Sequence, residues 1–261
     1  SFINEVEKNY DAYVKALNFS SSSAVRSIND KVADNTNNRI SKVLEGIQSD
    51  ESIFFINTLY LKADWNSAFN KELSRRKIFR NSDKSESEVD FMYSMNSYSI
   101  YKNDSVCFAS LALADSTLSA YFVMPEKEDL AACVKNMSVS KIQSLKEKGV
   151  SQRVILELPR FSLEDHYNLN QTLQLLGIRE AYSSNADFTP LTDSGRMELK
   201  RFIHDTYLKV DEGGIEGAAV TTASVGPTSM PRKYTFDKPF MVLVEDRISN
   251  QILFAGLVQK L

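Results

Sequence analysis

The sequence predicts an α+β fold in which mixed and antiparallel β-sheets are surrounded by helices. Three observations lead there. Apolar residues at helical spacing open the chain: Phe2, Val6, Tyr10 and Tyr13. Strand-like runs divided by short polar turns fill residues 74–124. Two further runs, FMVLVED and QILFAGLVQ, flank Arg247–Asn250 and predict a terminal hairpin. The chain has 261 residues, of which 43% are hydrophobic and 25% charged, the proportions of a soluble globular protein. A single domain over residues 1–261 is expected.

The elements follow in order. Residues 2–15 read as an amphipathic helix, Ala16 to Phe19 as a short strand, and the serines at 20–23 as a turn. Ile28, Val32, Ile40, Val43, Leu44 and Ile47 predict a second helical region, loosened around Asn35–Asn38. Residues 52–62, SIFFINTLYLK, are nearly all apolar and predict a central strand buried on both faces. Asn57 inside that strand must then be hydrogen-bonded. RRKIFRN pairs with ESEVDFMY around Ser82–Ser87, and SYSIYK, VCFASLAL and LSAYFVMP follow as strands. In the first pair, Arg75, Arg76, Lys77 and Arg80 face Asp83, Glu86, Glu88 and Asp90, a neutralised hairpin rather than a polyanion site. Leu130, Val134, Ile142 and Leu145 mark two short helices within 126–148. RVILELPRF is a strand, and DHYNLNQTLQLLGI is an amphipathic helix opened by His166 and ended by Gly177. NADFTPLT is irregular. Residues 197–210 form a long strand with Phe202, His204, Thr206, Leu208 and Val210 on one face, which makes His204 a core histidine held by hydrogen bonds.

Several function classes are excluded. No nucleotide, nucleophile-elbow, C-x-x-C or H-E-x-x-H motif is present, so no enzyme, cofactor or metal site is expected. The net charge of −3 disfavours nucleic-acid binding. No stretch has the apolar length of a membrane span, and charged residues interrupt residues 1–20 as a signal peptide. Cys107 and Cys133 lie in apolar settings and read as buried free thiols. Asn18, Asn103, Asn136 and Asn170 each begin an N-x-Ser/Thr triplet and lean towards an extracellular, glycosylated protein.

What remains is the stretch from Glu212 to Pro239, EGGIEGAAVTTASVGPTSMPRKYTFDKP. It is long for a loop, small in side chain and nearly uncharged over Ala218–Val225, so it can become a strand. DEGGIEGAAVTTA resembles the proximal hinge of a serpin reactive loop, and SMPRKYTFDKPFMVLVED with ILFAGLVQ resembles the segment that closes that family's fold. INDKVADNTNNRI and NADFTPLT resemble further family phrases. The resemblance implies an inhibitor of serine proteases whose exposed loop, 212–238, is cleaved and inserts into the main sheet with the enzyme attached. It implies a hinge at Glu212, Gly213, Gly214, Ile215, Glu216, Gly217, Ala218 and Ala219. It makes Asn57 and His204 part of the region where the sheet parts, and Trp65 part of the region where insertion begins. The reactive bond falls sixteen residues after the hinge glutamate, at Thr228–Ser229, with Val225 and Met230 as secondary cleavage sites. Thr228 is small and uncharged, which suits elastase-like or chymotrypsin-like targets.

Strand alternation tests whether the loop can insert. Ile215, Gly217, Ala219 and Thr221 share one face, and Glu216, Ala218, Val220 and Thr222 the other. With the first set inward, no charge is buried. Ile215 and Gly217 depart from the family's usual small polar residue and alanine. The alternative is a serpin-fold protein that binds, stores or signals without trapping. The helices that the family places first have no counterpart in the sequence, which implies a homodimer or association with a separate N-terminal fragment.

Overall fold

The computed structural model describes residues 2–191, 197–215 and 230–261. In chain order its elements are α1 (Phe2–Tyr10), α2 (Ser23–Asn35), β1 (Ile53–Tyr60), β2 (Ala63–Asp64), β3 (Asn70–Arg80), β4 (Glu86–Lys102), β5 (Val106–Ala112), β6 (Leu118–Pro125), α3 (Leu130–Lys135) and α4 (Val139–Lys148). They continue as β7 (Val150–Pro159), β8 (Phe161–Asn168), α5 (Asn170–Leu175), a short 3-10 turn at Glu180–Tyr182, β9 (Leu199–Val210), β10 (Gly214–Ile215), β11 (Arg232–Thr235), β12 (Phe240–Asp246) and β13 (Gln251–Val258). The expected α+β architecture is present. The chain divides into two compact units, Ser1–Tyr60 with Glu164–Tyr207, and Leu61–Leu163 with Leu208–Leu261.

In the first unit, β1 runs parallel to β9, with Asn57 opposite His204 and Tyr60 opposite Tyr207. The core beside them is formed by Val32, Ile40, Val43, Leu44 and Ile203. The helix expected to run on from Ile28 stops at Asn35. The Thr36 hydroxyl donates to the Val32 carbonyl and accepts the Ile40 amide, and Asn37 and Asn38 take positive φ. Beyond the turn, Asn29 captures the backbone through Val43 N–H and Leu44 N–H, each at 3.0 Å, so Val43 and Leu44 are buried in irregular chain instead. The first helix is also shorter than expected, ending before Asp11 at φ +50, and Tyr10 and Tyr13 are exposed. Residues 16–18 form no strand.

Two further expectations in this unit are corrected. β1 is not buried on both faces: only Ile53 is fully buried, and Asn57 is exposed. In β9 the core-facing side chain among residues 202–204 is Ile203, so His204 is half-buried on the opposite face and is not a core histidine. Both faces of that strand mix apolar and polar residues, and alternation alone does not say which meets α2. His166 lies in β8 rather than opening a helix. α5 starts only at Asn170, whose side chain bridges to β9 through Phe202 N–H and the Lys200 carbonyl. Gly177 follows that helix at φ +102, a left-handed stop as expected.

The second unit is built on an eight-stranded sheet in the order β11-β7-β4-β5-β6-β12-β13, with β3 paired to β4. SYSIYK is not a separate strand but the second half of β4, which runs unbroken from Glu86 to Lys102. Arg76 and Arg80 of β3 stand opposite Asp90 and Glu86, as the alternating charges predicted. Helices α3 and α4, capped by Asp129 and Ser138, bury Leu130, Cys133, Ile142 and Leu145 against Phe108, Tyr121, Val123, Met241 and Leu243. An aromatic cluster of Trp65, Phe69, Phe122, Phe236, Phe240 and Phe161 fills another part of the core. Both cysteines are free and buried, and burial pushes the Cys107 thiol up to about 12.

Candidate functional site

The site begins where β9 ends. After Val210 the chain reverses within four residues and returns as β10. Ile215 pairs antiparallel with Val210 on one side and with Ala63 of β2 on the other. Asp211 closes this turn: its N–H donates to the Gly214 carbonyl at 3.0 Å, and its Oδ1 accepts the Gly213 N–H at 3.0 Å. Gly214 has φ +156, and a Cβ there would lie 2.3 Å from the Ala63 carbonyl oxygen. Only glycine lets β10 approach β2 this closely.

Trp65 clamps the turn from the side. Its indole N–H donates to the Asp211 carbonyl at 2.9 Å, and its backbone N–H donates to the Gly213 carbonyl at 2.8 Å. The ring is 4% exposed and packs on Phe69 and Phe122. Trp65 thus contacts Asp211 and Gly213 of the turn directly.

Glu212 carries the charge of the site. Its side chain is 5% exposed. The Arg160 guanidinium donates to it from Nε at 2.8–2.9 Å and from Nη2 at 2.6 Å. Ser74 Oγ donates a further hydrogen bond, and Arg160 Nη1 reaches Asp90 at 3.0 Å. Burial alone would raise the Glu212 carboxyl. Arg160 and Ser74 outweigh that and hold it below the usual carboxylate range, while Glu212 in turn raises Arg160. The Glu212 carbonyl also accepts the Phe69 N–H at 2.9 Å. Arg160 and Ser74 were not singled out from sequence, because nothing in PRF or ELSRR marks a partner so far along the chain, and Asp90 was read only as part of the neutralised hairpin.

In the first unit, Asn57 and His204 meet as expected. His204 Nδ1 donates to Asn57 Oδ1 at 2.8 Å, and the Tyr167 ring stacks on the imidazole at 6.3 Å. One residue along, His166 Nδ1 lies 2.5 Å from Asp205 Oδ1. Asp205 is only 4% exposed, and burial raises its carboxyl against the lowering effect of His166. Sequence reading gave His166 no partner, because it placed that residue on a helix rather than on a strand beside β9.

Of the expected hinge, Glu212, Gly213, Gly214 and Ile215 are thus placed together, with Ile215 fully buried. Glu216, Gly217, Ala218, Ala219, Val225 and the bond Thr228–Ser229 lie outside the described residues. Among the described residues no cluster of acidic, histidine or cysteine side chains could hold a metal ion, and no helix is long and apolar enough to cross a membrane.

A family model described as serpin (serine protease inhibitor) matches residues 1–261. A carp (Cyprinus carpio) α-1-antitrypsin homologue is 26% identical over 98% of this chain and 70% of its own. A serpin-like protein of Methanosarcina acetivorans is 28% identical over 99% of this chain and 63% of its own. The chain spans 62% of horse α-1-antiproteinase 2, at 26% identity over 98% of this chain. Among solved structures, human thyroxine-binding globulin complexed with its ligand superposes with a TM-score of 0.90 at 27% identity, over 99% of this chain and 70% of that one. The thermophilic protein tengpin in its native state gives 0.82 at 26%, over 92% and 64%.

Proposed function

The chain belongs to the serpin family, and from that premise we propose that it is a serine protease inhibitor that traps its target by loop cleavage and insertion. The observation that carries this reading is β10. The first residue of the inward set, Ile215, is already hydrogen-bonded as a strand against β9, seated by Gly214 and anchored by Glu212. Strand pairing at Ile215 lies where a new strand beside β9 would begin. Insertion between β1 and β9 forms on the order of a dozen ladder bonds at about 1 kcal/mol net each, enough to drive a large rearrangement. The target reads as elastase-like or chymotrypsin-like, with cleavage at Thr228–Ser229. The protein acts as bait and trap, with no catalytic group of its own.

Incubation with a panel of serine proteases followed by denaturing electrophoresis tests this. A covalent band near the summed masses, with the cut mapped by mass spectrometry to Thr228–Ser229, is the expected result. Loop cleavage without that band, or trapping of trypsin with dominant cutting after Arg232, overturns it.

A second reading is a binding or carrier protein that does not trap. It is favoured by the TM-score of 0.90 to a thyroxine-binding globulin and by Ile215 and Gly217 in the hinge. The same gel separates the two. We place the protein outside the cell, with Asn18, Asn103 and Asn136 exposed for modification while the Asn170 side chain is occupied by β9. The relatives lend no support to the expected homodimer or fragment association.

A further inference from the structure

We propose that a cleft on the α4 side of the eight-stranded sheet binds a small hydroxylated monocarboxylate of the sugar-acid class. The cleft lies wholly within the second unit and has a volume of about 320 Å3, at the lower end of small-ligand sites. Three neighbouring strands build it. Ser99 of β4 stands opposite Ser110 of β5, Ser110 opposite Tyr121 of β6, and Ala112 of β5 opposite Ser119 of β6. Phe108, Tyr121 and Val123 fill the sheet face beneath α3 and α4. Further along the same face the side chains are small, and a dent is left where Ser99, Ser110, Ala112 and Ser119 meet. Ser67, Lys146 and Arg247 complete the lining that matters for binding.

One charge in the cleft is uncompensated. Lys146 Nζ donates to both oxygens of Glu245 at 2.8–2.9 Å, and the Tyr121 hydroxyl donates to Glu245 Oε2 at 2.5 Å. Burial and then the neighbouring Glu245 raise the Tyr121 phenol, so it keeps its proton and remains a donor. The Glu245 side chain is buried, and with Lys146 it forms a closed, neutral pair. Arg247 is placed differently. Its backbone N–H donates to the Thr117 carbonyl and its Nη1 to the Ser116 carbonyl at 3.4 Å. Among the described residues it has no carboxylate partner. Two cations and one carboxylate leave one positive charge. Four hydroxyls are open as well. Among the described residues, those of Ser67, Ser97, Ser99 and Ser110 bond to no other protein group.

That inventory selects the ligand. The Arg247 guanidinium is a planar fork that suits a carboxylate. One uncompensated cation balances one negative charge, and a phosphate monoester carries more than one. Serine hydroxyls both donate and accept, so they match hydroxyl groups on the ligand. A hydrocarbon acid of the same length covers those hydroxyls without pairing them, which a site built on hydrogen bonds penalises. A neutral sugar meets the hydroxyls but leaves Arg247 without its anion. A volume of about 320 Å3 has room for a chain of six carbons and not for a polymer. Binding here does not depend on protease trapping, and the failure of either leaves the other standing.

Isothermal titration of the purified chain with D-gluconate, D-glucose and hexanoate tests the site. Gluconate should bind roughly tenfold or more tightly than either, since glucose lacks the charge and hexanoate the hydroxyls. R247S should bring gluconate to within about twofold of glucose. S99A/S110A should weaken gluconate roughly fivefold and leave hexanoate unchanged. K102S, which removes a cation outside the cleft, should change gluconate binding less than about twofold. No binding of gluconate, hexanoate as tight as gluconate, or equal losses in K102S and R247S overturns the proposal. Amide shifts on adding gluconate to the parent protein give an independent reading should the variants fold poorly. Shifts confined to residues 97–99, 110–112, 119–121 and 247 support the cleft, and shifts centred elsewhere count against it.

Discussion

Replacing Arg160 by alanine should unseat the root of the loop. Arg160 supplies three of the four side-chain hydrogen bonds to a Glu212 carboxylate that is 5% exposed. Removing one partner of a buried ion pair costs about 3–5 kcal/mol, because the other charge is left without compensation. Arg160 is itself 35% exposed, so water screens part of the loss and Ser74 retains one bond. We therefore expect Arg160→Ala to cost about 2–3 kcal/mol. Glu212→Gln in the same background should recover part of this, since the orphaned charge is then gone. Trp65, the single tryptophan, reports the event directly, because its indole N–H is bonded to Asp211. Its emission should shift to the red in Arg160→Ala, and amide exchange at Gly213 and Gly214 should accelerate. The pH dependence has a definite sign. Glu212 is held below its ordinary value, so its stabilisation is present at neutral pH and is lost as pH falls below the unfolded carboxylate range towards the folded value. A cost below about 0.5 kcal/mol, the size expected of an exposed pair, with unchanged Trp65 emission, would refute the argument that Glu212 anchors the turn.

The other predictions bear on neighbouring parts of the machinery. Gly214→Ala should cost about 1–3 kcal/mol and separate β10 from β2, read as lost protection of the Trp65 amide in hydrogen exchange. Ala219→Arg should leave the uncleaved fold intact but convert an inhibitor into a substrate, with cleaved loop and no covalent band; an undiminished band would show that insertion is not the mechanism. Asp205→Asn should gain on the parent protein as pH rises from about 4 to 7, because burial raises the Asp205 carboxyl and the parent alone must ionise it. Denaturant midpoints across that range check the sign.

The sequence made the strands of the second unit legible because their patterns are local. Alternating charges set the β3–β4 register, and the apolar run of β12 and the turn at 247–250 set the last hairpin. It misled where a side chain far away decides the backbone. Ile40, Val43 and Leu44 have helical spacing, yet Thr36 holds Ile40, and Asn29 holds Val43 and Leu44, outside any helix. Residues 165–168 have it too, yet β9 captures them as strand β8, and that misplacement concealed the His166–Asp205 contact. At the candidate site, Trp65, Asn57 and His204 were named through the family resemblance. Arg160 was not, because an ion pair between residues 52 positions apart has no sequence period to betray it.

Under the proposed mechanism, the register of β10 sets what insertion has to overcome. Ile215 opposes Val210, so each residue added to β10 steps one residue back along β9. Gly217 then falls opposite Leu208, Ala219 opposite Thr206, and Thr221 opposite His204. Among the described residues, up to Ala219 the growing strand would meet no side-chain bond between β1 and β9 stronger than ring contacts such as Tyr60 against Tyr207. At Thr221 it meets the Asn57–His204 hydrogen bond, which lies across the pairing that must open. A threonine hydroxyl is both donor and acceptor, so at that position it can bond to groups that the separation leaves without each other. On the proposed insertion the bond would act as a checkpoint rather than a lock: it is worth about 1 kcal/mol while closed, and the arriving strand would replace it. Removing His204 should therefore speed opening more than it speeds trapping, since the same substitution takes away the partner that Thr221 would find.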